Sequence, residues 1–204
     1  GMDVLDIGGE STRPGHKMVS EEEELGRVIP VIEQVRARFD IPISLDTSKS
    51  AVASAGIAAG VDMINDVWGF KHDGNLAKVT ADAGIPCILM HNRKEADYTD
   101  YIQNVLEDLA ESVEIARLSG ITDEKILLDP GIGFGKTYEN NLEIMNNMEI
   151  LHSFGYPLVL GASRKSVIGM TLDLPVSERL EGTLVTTVIA VMKGAMFVRV
   201  HDIK

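Results

Sequence analysis

Cysteine is almost absent: Cys87 stands alone among 204 residues. No disulfide framework can hold such a chain together, and a reducing, cytoplasmic location suits it. Long apolar runs are missing too, since no stretch reaches the ~18 residues of a membrane-spanning helix. The opening residues, GMDVLDIGGE, lack the basic segment and apolar core of a secretory signal. Positive charge is scarce, with 19 Lys and Arg against 31 Asp and Glu, a formal net charge of −12. Duplex binding depends on neutralising phosphates with cations, so nucleic acid is not an expected partner. A small anion needs only a local basic cluster and is not excluded. Part of the negative charge lies in Glu21, Glu22, Glu23 and Glu24, which read as a solvated helix start. The five histidines are scattered, which argues against a zinc-type site.

What is present is a core-forming chain with 45% hydrophobic residues. At this size folding buries roughly 70% of the unfolded surface, and a single domain over 1–204 is expected. Short apolar runs occur at 4–7, 43–45, 63–64, 87–90, 126–128, 158–160 and 197–200. Their hydrophobicity is continuous rather than alternating, as in strands of a parallel sheet buried on both faces. Helical patterns lie between them. Ser20 with Glu23 forms a possible capping box, followed by Leu25, Val28, Ile29, Ile32 and Val35 at helical spacing. Residues 101–118 form an amphipathic helix stopped by Gly120, and further helices are expected over 139–151 and 177–192. The methionines of 142–148 read as core packing.

The strand ends fall near residues 6, 46, 65, 91, 129, 163 and 201, about 33 residues apart on average, close to one eighth of a barrel of about 250 residues. The expected fold is therefore α/β, a TIM-type (β/α)8 barrel. An open doubly wound sheet is the alternative, but it requires a switch point, and none is visible. Seven strands are counted. The expectation is of a barrel lacking its first strand and helix and its last helix.

Barrel chemistry gathers at the C-terminal ends of the strands. Here those ends carry Asp6 with the loop 8–15, then Asp46 to Lys49, then Asn65 and Asp66, then His91 to Arg93. After them come Asp129, the run 163–166, and finally Arg199 with His201 and Asp202. Each residue has a plainer reading when taken alone. A strand-end Asp is often only the N-cap of the next helix, and a lone Arg199 is an ordinary surface cation. Seven polar strand ends in one chain point instead to a functional mouth. Asp46, Asn65 and Asp129 offer acceptors, and Asn65 also donors, for the amino and ring N–H edge of a flat heterocycle. Lys165 supplies a donor to a ring carbonyl or nitrogen. Arg13, Arg164, Arg199 and His201 form a candidate anion subsite, because guanidinium forks suit phosphate oxygens.

Two lookalikes are set aside. Residues 130–137 read like a phosphate-binding loop, but Pro130 stands where its first glycine belongs, and Lys136 breaks the dinucleotide pattern. Cys87 lies within an apolar run and is expected to be a buried, inert thiol.

The segments DIGGESTRPG (6–15), SLDTSK (44–49), INDV (64–67), LDPGIGFGK (128–136), SRKSVIG (163–169) and RVHDIK (199–204) resemble the signature segments of the dihydropteroate synthase family, in that family's order and spacing. The resemblance spans essentially the whole chain. It implies a transferase of folate biosynthesis that condenses 6-hydroxymethyl-7,8-dihydropterin diphosphate with p-aminobenzoate, releasing diphosphate with Mg2+ assistance. By the same resemblance Asp46, Asn65, Asp129 and Lys165 bind the pterin, and Arg199 and His201 bind the diphosphate. Thr12, Arg13, Pro14, Phe134 and Ser166 surround p-aminobenzoate. Asp6, Asp129, Lys165, Arg199 and His201 are the catalytic set.

The implied mechanism is dissociative: the diphosphate departs, a cationic pterin methylene remains, and the aniline nitrogen attacks it. The metal-binding asparagine of the family lies in a first-strand segment that this sequence does not contain, so no metal ligand is expected within this chain. A homodimer is expected from the family. Two rivals are a pterin-binding fragment without catalysis and a methyltetrahydrofolate–corrinoid methyltransferase. The latter has no use for the STRPG loop together with the SRKS and RVH segments.

Overall fold

The computed structural model describes residues 1–11 and 18–203. In chain order its elements are β1 (Leu5–Gly8), α1 (Glu21–Arg36), β2 (Ile43–Asp46), α2 (Ser50–Ala58), β3 (Met63–Asp66), α3 (Leu76–Ala83) and β4 (Cys87–Met90). There follow α4 (Tyr101–Leu118), β5 (Ile126–Asp129), α5 (Tyr138–Asn146), β6 (Val159–Leu160), α6 (Ser166–Leu172), α7 (Leu180–Met192) and β7 (Phe197–Val198). Every expected apolar run carries a strand. The chain divides into two compact units, Gly1–Met90 with Ala110–Ile126, and His91–Leu109 with Leu127–Lys204.

In the first unit β1, β2, β3 and β4 pair in sequence order, all parallel. All four residues of β2 are buried, as a strand covered on both faces requires. Ile43, Leu45, Ile64 and Leu89 are fully buried and form the core of this sheet. The helix α1 starts where its cap is: the Ser20 hydroxyl accepts the Glu23 N–H at 3.2 Å. Val28 and Ile32 then bury the inner face of that helix. The reading of its acidic start as wholly solvated is corrected at one residue. Glu21, Glu22 and Glu23 are exposed, but Glu24 is 1% exposed and pairs with the Lys49 ammonium at 2.5 Å. Burial there is tolerable only because a cation meets the carboxylate.

In the second unit Leu128 bridges Leu158, and β6 pairs with β7 in parallel, Leu160 opposite Val198. A reciprocal capping box of Thr137 and Asn140 opens α5, with both bonds at 3.1 Å. The helix expected over 139–151 breaks at Asn147 (φ −114°, ψ 21°) and continues as a 3-10 helix over Met148–Phe154. Asn147 turns its amide onto the Glu143 carbonyl at 2.8 Å, a side-chain bond that competes with the helical ladder. Met145 and Met148 are buried, so the methionines pack the core. The helix expected over 177–192 begins later, at Leu180. Arg179 interrupts it (φ −97°, ψ 14°), its guanidinium bonding the Leu174 and Arg164 carbonyls. The outer face of α7 leaves Leu184, Val185, Val188, Val191 and Met192 exposed. Among the described residues no helix is long and apolar enough to cross a membrane.

Candidate active site at the strand ends

Register builds the polar end of the first unit. Gly8 lies opposite Asp46, and Asp46 opposite Asn65, so three neighbouring strands end at one level. Side chains two apart on a strand share a face, which puts Asp6 on the side of Gly8, one step deeper. Asn65 Nδ2 accordingly lies 3.5 Å from each Asp6 carboxylate oxygen, the outer limit of a hydrogen bond. Glycine at position 8 makes room for Asp46, because a Cβ there would stand 3.2 Å from Asp46 Cβ. Asp46 and Asn65 are each 7% exposed. Lys49 reaches both Glu10 and Glu24; burial alone would lower its pKa, but the two carboxylates outweigh burial and raise it.

Asp66, next to Asn65, points the other way and is fully buried. Its oxygens accept the Trp68 and Phe70 N–H groups at 3.0 and 2.6 Å, closing the turn after β3. Burial pushes its carboxyl up to about 6 despite those bonds. Asp66 is structural, whereas Asn65 faces the open end. Cys87, expected to be inert, is buried and its thiol is pushed up to about 12.

In the second unit the residues gather around Gly161, the first position after β6. A Cβ built on Gly161 would lie 3.7 Å from Asp129 Oδ2, 3.8 Å from Arg199 Cβ and 3.8 Å from Lys165 Nζ. Three strand ends and the α6 start therefore converge around the hollow beside Gly161, where even a Cβ would make only ordinary van der Waals contacts. Asp129 is 6% exposed and its Oδ1 accepts the Gly131 N–H at 2.7 Å. Burial raises its carboxyl above the ordinary range, opposed by Lys165, by the Gly131 N–H, by Lys136 and by Arg199. Lys165 Nζ donates to the Ile132 carbonyl at 2.5 Å and stands 4.6 Å over the Phe134 ring, a cation–π distance. Arg199 is exposed, its backbone N–H held by the Leu160 carbonyl at 2.9 Å. His201 is exposed as well, its Nδ1 2.9 Å from Ser163 Oγ, which also accepts the His201 N–H at 3.2 Å.

Not every expected residue joins this set. Arg164, expected in the anion subsite, uses its fork on Asp202 at 2.8 and 3.1 Å and bonds the Val176 carbonyl at 2.9 Å, so it braces the chain instead. Ser166 is exposed at the first residue of α6. Thr12, Arg13 and Pro14 lie outside the described residues.

The glycine-rich segment resembling a phosphate loop has another cause. Gly131, Gly133 and Gly135 all take positive φ (72°, 83° and 52°). A Cβ on Gly131 would fall 1.9 Å from the His91 carbonyl oxygen, and one on Gly135 2.3 Å from that of Arg93. The glycines let this turn lie against residues 91–93. Sequence reasoning also missed a polar chain behind the turn. Lys136 Nζ is 2.6 Å from His91 Nδ1 and 3.0 Å from the Phe134 carbonyl, and His91 Nε2 is 3.0 Å from Asp108. The helical pattern of 101–118 places Asp108 on α4, but no spacing in the sequence joins it to residues 91 and 136.

A family model described as pterin binding enzyme matches residues 1–201. Over its full length the chain is 57% identical to a dihydropteroate synthase of Clostridium beijerinckii, covering 76% of that protein. It is 52% identical to one of Bacillus subtilis, covering 72%. A crystal structure of the Clostridium difficile dihydropteroate synthase, obtained in the presence of pteroic acid, superposes on 99% of this chain and 77% of its own, at 47% identity and a TM-score of 0.97. The Xanthomonas albilineans dihydropteroate synthase with 4-aminobenzoic acid covers 99% of this chain, with 74% of its own length matched, at 41% identity and a TM-score of 0.95. The chain thus spans about three quarters of the length of these relatives. Its fold is theirs, the TIM-type α/β barrel that the strand count led one to expect.

Proposed function

The chain belongs to the dihydropteroate synthase family, transferases of folate biosynthesis, and on that premise we propose that its substrates are the dihydropterin diphosphate and p-aminobenzoate. The observation that carries this reading is the convergence of Asp129, Lys165 and Arg199 on the hollow at Gly161. A buried carboxylate there pairs with the amino and N–H edge of a pterin, which donates where a carboxylate accepts. Lys165 donates to the ring carbonyl or nitrogen on the same side.

Arg199 and His201 take the diphosphate. As the C–O bond to the pterin methylene breaks, negative charge grows on the leaving oxygen, and an exposed guanidinium and imidazole suit it best at that moment. The methylene carbon becomes cationic, and the Asp129 carboxylate favours it electrostatically. The aniline nitrogen of p-aminobenzoate then forms the C–N bond and loses a proton to solvent or to the departing diphosphate. The Phe134 ring beside Lys165 offers an apolar surface to the aminobenzoate ring. The family resemblance assigns pterin contacts to Asp46 and Asn65, a catalytic carboxylate to Asp6, and p-aminobenzoate contacts to Thr12, Arg13, Pro14 and Ser166. A cytoplasmic homodimer belongs to the same proposal, with the exposed apolar face of α7 as its candidate contact.

Among the described residues no three His, Cys, Asp or Glu side chains are grouped to hold a metal ion. The described residues need not cage the Mg2+ that the resemblance implies, because Mg2+ is usually held through one or two carboxylates together with substrate phosphates. What they supply is binding, charge and position.

The test is turnover. Purified chain is given the pterin diphosphate and Mg2+, with and without p-aminobenzoate, and dihydropteroate is measured. Product that requires p-aminobenzoate is the expected result. Absence of product, with neither substrate bound in calorimetry, would overturn the reading.

A further inference from the structure

Behind the turn that follows β5 lies a chain of polar contacts that the proposed chemistry does not use. Asp108 accepts from Arg93 Nε at 2.6 Å and Nη2 at 3.2 Å, and lies 3.0 Å from His91 Nε2. His91 is fully buried. With a carboxylate at Nε2, that nitrogen carries the proton and Nδ1 is left as an acceptor. Lys136 Nζ donates to Nδ1 at 2.6 Å and to the Phe134 carbonyl at 3.0 Å. Tyr98 adds a second tie, its hydroxyl donating to the Gly135 carbonyl at 2.6 Å. The ammonium lies 3.2 Å from where a Cβ on Gly131 would be, and Gly131 is the residue whose N–H holds Asp129.

We propose that Lys136, oriented by His91 and Asp108, is a positioning residue for the reaction, fixing from behind the turn that presents Phe134 and the Gly131 N–H. The inference rests on the reading of Asp129 and Phe134 as pterin and p-aminobenzoate contacts. Two consequences are separable. The hydrogen bonds of Lys136 hold the Phe134 carbonyl, and any donor of similar reach preserves them. Its positive charge opposes the burial that raises Asp129, and only a cation preserves that.

The titratable and charged groups around this ammonium are His91, Arg93, Asp108, Asp129 and Lys165. Desolvation of the inward-turned ammonium brings it down to about 7, against the attraction of Asp129. Lys136 is thus charged in the acid range, where Asp129 most needs a neighbouring cation, and its charge fades above neutrality.

The experiment titrates pteroic acid into the chain by calorimetry between pH 5 and 8, alongside Lys136→Met and Lys136→Gln. Lys136→Met should bind about tenfold more weakly at pH 8, the scale of one lost hydrogen-bond tether. Lys136→Gln should recover wild-type affinity at pH 8. Both variants should lose affinity on acidification at a higher pH than wild type, because Asp129 protonates earlier without the charge. Should Lys136→Met fail to fold, Lys136→Gln still reads the acid limb, and Asp108→Asn, which frees the His91 ring to turn, should reproduce the loss at pH 8. Equal binding by all variants at both ends of the range overturns the inference, as does a Lys136→Gln variant as weak as Lys136→Met with an unmoved acid limb. If the unaltered chain itself takes up no pteroic acid, the functional reading fails first and this inference falls with it.

Discussion

Asp66 in the first unit and Asp129 in the second are both buried strand-end carboxyls raised by desolvation, yet one builds a turn and the other lies beside two cations. Asp66 has both oxygens committed to backbone N–H groups, at 3.0 and 2.6 Å. Asp129 commits Oδ1 to Gly131 and turns Oδ2 toward the hollow with Lys165 and Arg199. Burial raises a carboxyl wherever it occurs, so a raised pKa alone does not mark a functional group. The direction of the second oxygen and the cations it faces separate the two cases.

The polar ends of the two units differ in construction as well. In the first, Asp46 and Asn65 come together because parallel strands pair them, and the sheet hydrogen bonds hold them. In the second, Asp129, Lys165 and Phe134 depend on a glycine turn pressed against residues 91–93. Strand register resists a point substitution, whereas a turn needing three positive-φ residues does not.

The largest expected effect tests how the first unit tolerates charge. Lys49→Met strands Glu24 in the core without its cation. It should cost about 3 kcal/mol or more of unfolding free energy, read by urea denaturation, and Glu24→Gln in the same chain should restore much of it. A loss below about 0.5 kcal/mol would mean that Glu24 is hydrated.

The carboxyl comparison itself comes next. Asp129→Asn should weaken pteroic acid binding by about a hundredfold, since a charge-assisted pair is lost. Asp66→Asn should leave affinity unchanged and instead alter stability with pH. The folded Asp66 carboxyl titrates near 6, above its unfolded value near 3.9. The folded state therefore binds the extra proton, and stability from this group is full below about pH 4 and lost as pH rises through about 6. Asp66→Asn should flatten that part of the stability profile. Identical binding losses for the two variants would erase the distinction between them.

The smallest effect concerns the exposed end of the second unit. Arg199→Ala should weaken the diphosphate substrate about tenfold while leaving hydroxymethyl pterin nearly unaffected, because an exposed guanidinium reads the anion and not the ring. Equal losses on both ligands would move Arg199 out of the anion subsite.

Much of this architecture was legible in the linear pattern. Continuous apolar runs specify strands buried on both faces, and all seven carry one. Residues 101–118 show their helix because its period is unbroken. Local side-chain competition was harder to see: Asn147 ends α5 early and Arg179 delays α7, each through one side chain finding a backbone carbonyl. Glu24 looked solvated because its partner lies 25 positions away, and Arg164 looked available because Asp202 lies 38 positions away.

The sequence by itself determined the alternation of strand and helix, the strand-end chemistry and the family, since these rest on local pattern and contiguous motifs. Only the tertiary structure decided which way each polar group turned. It set Asp66 inward and Asp129 toward its cations, gave the 131–135 glycines a packing role, and placed Lys136 behind the turn against His91. The physical reason is that orientation depends on partners distant in sequence, and only folding brings those partners within hydrogen-bonding reach.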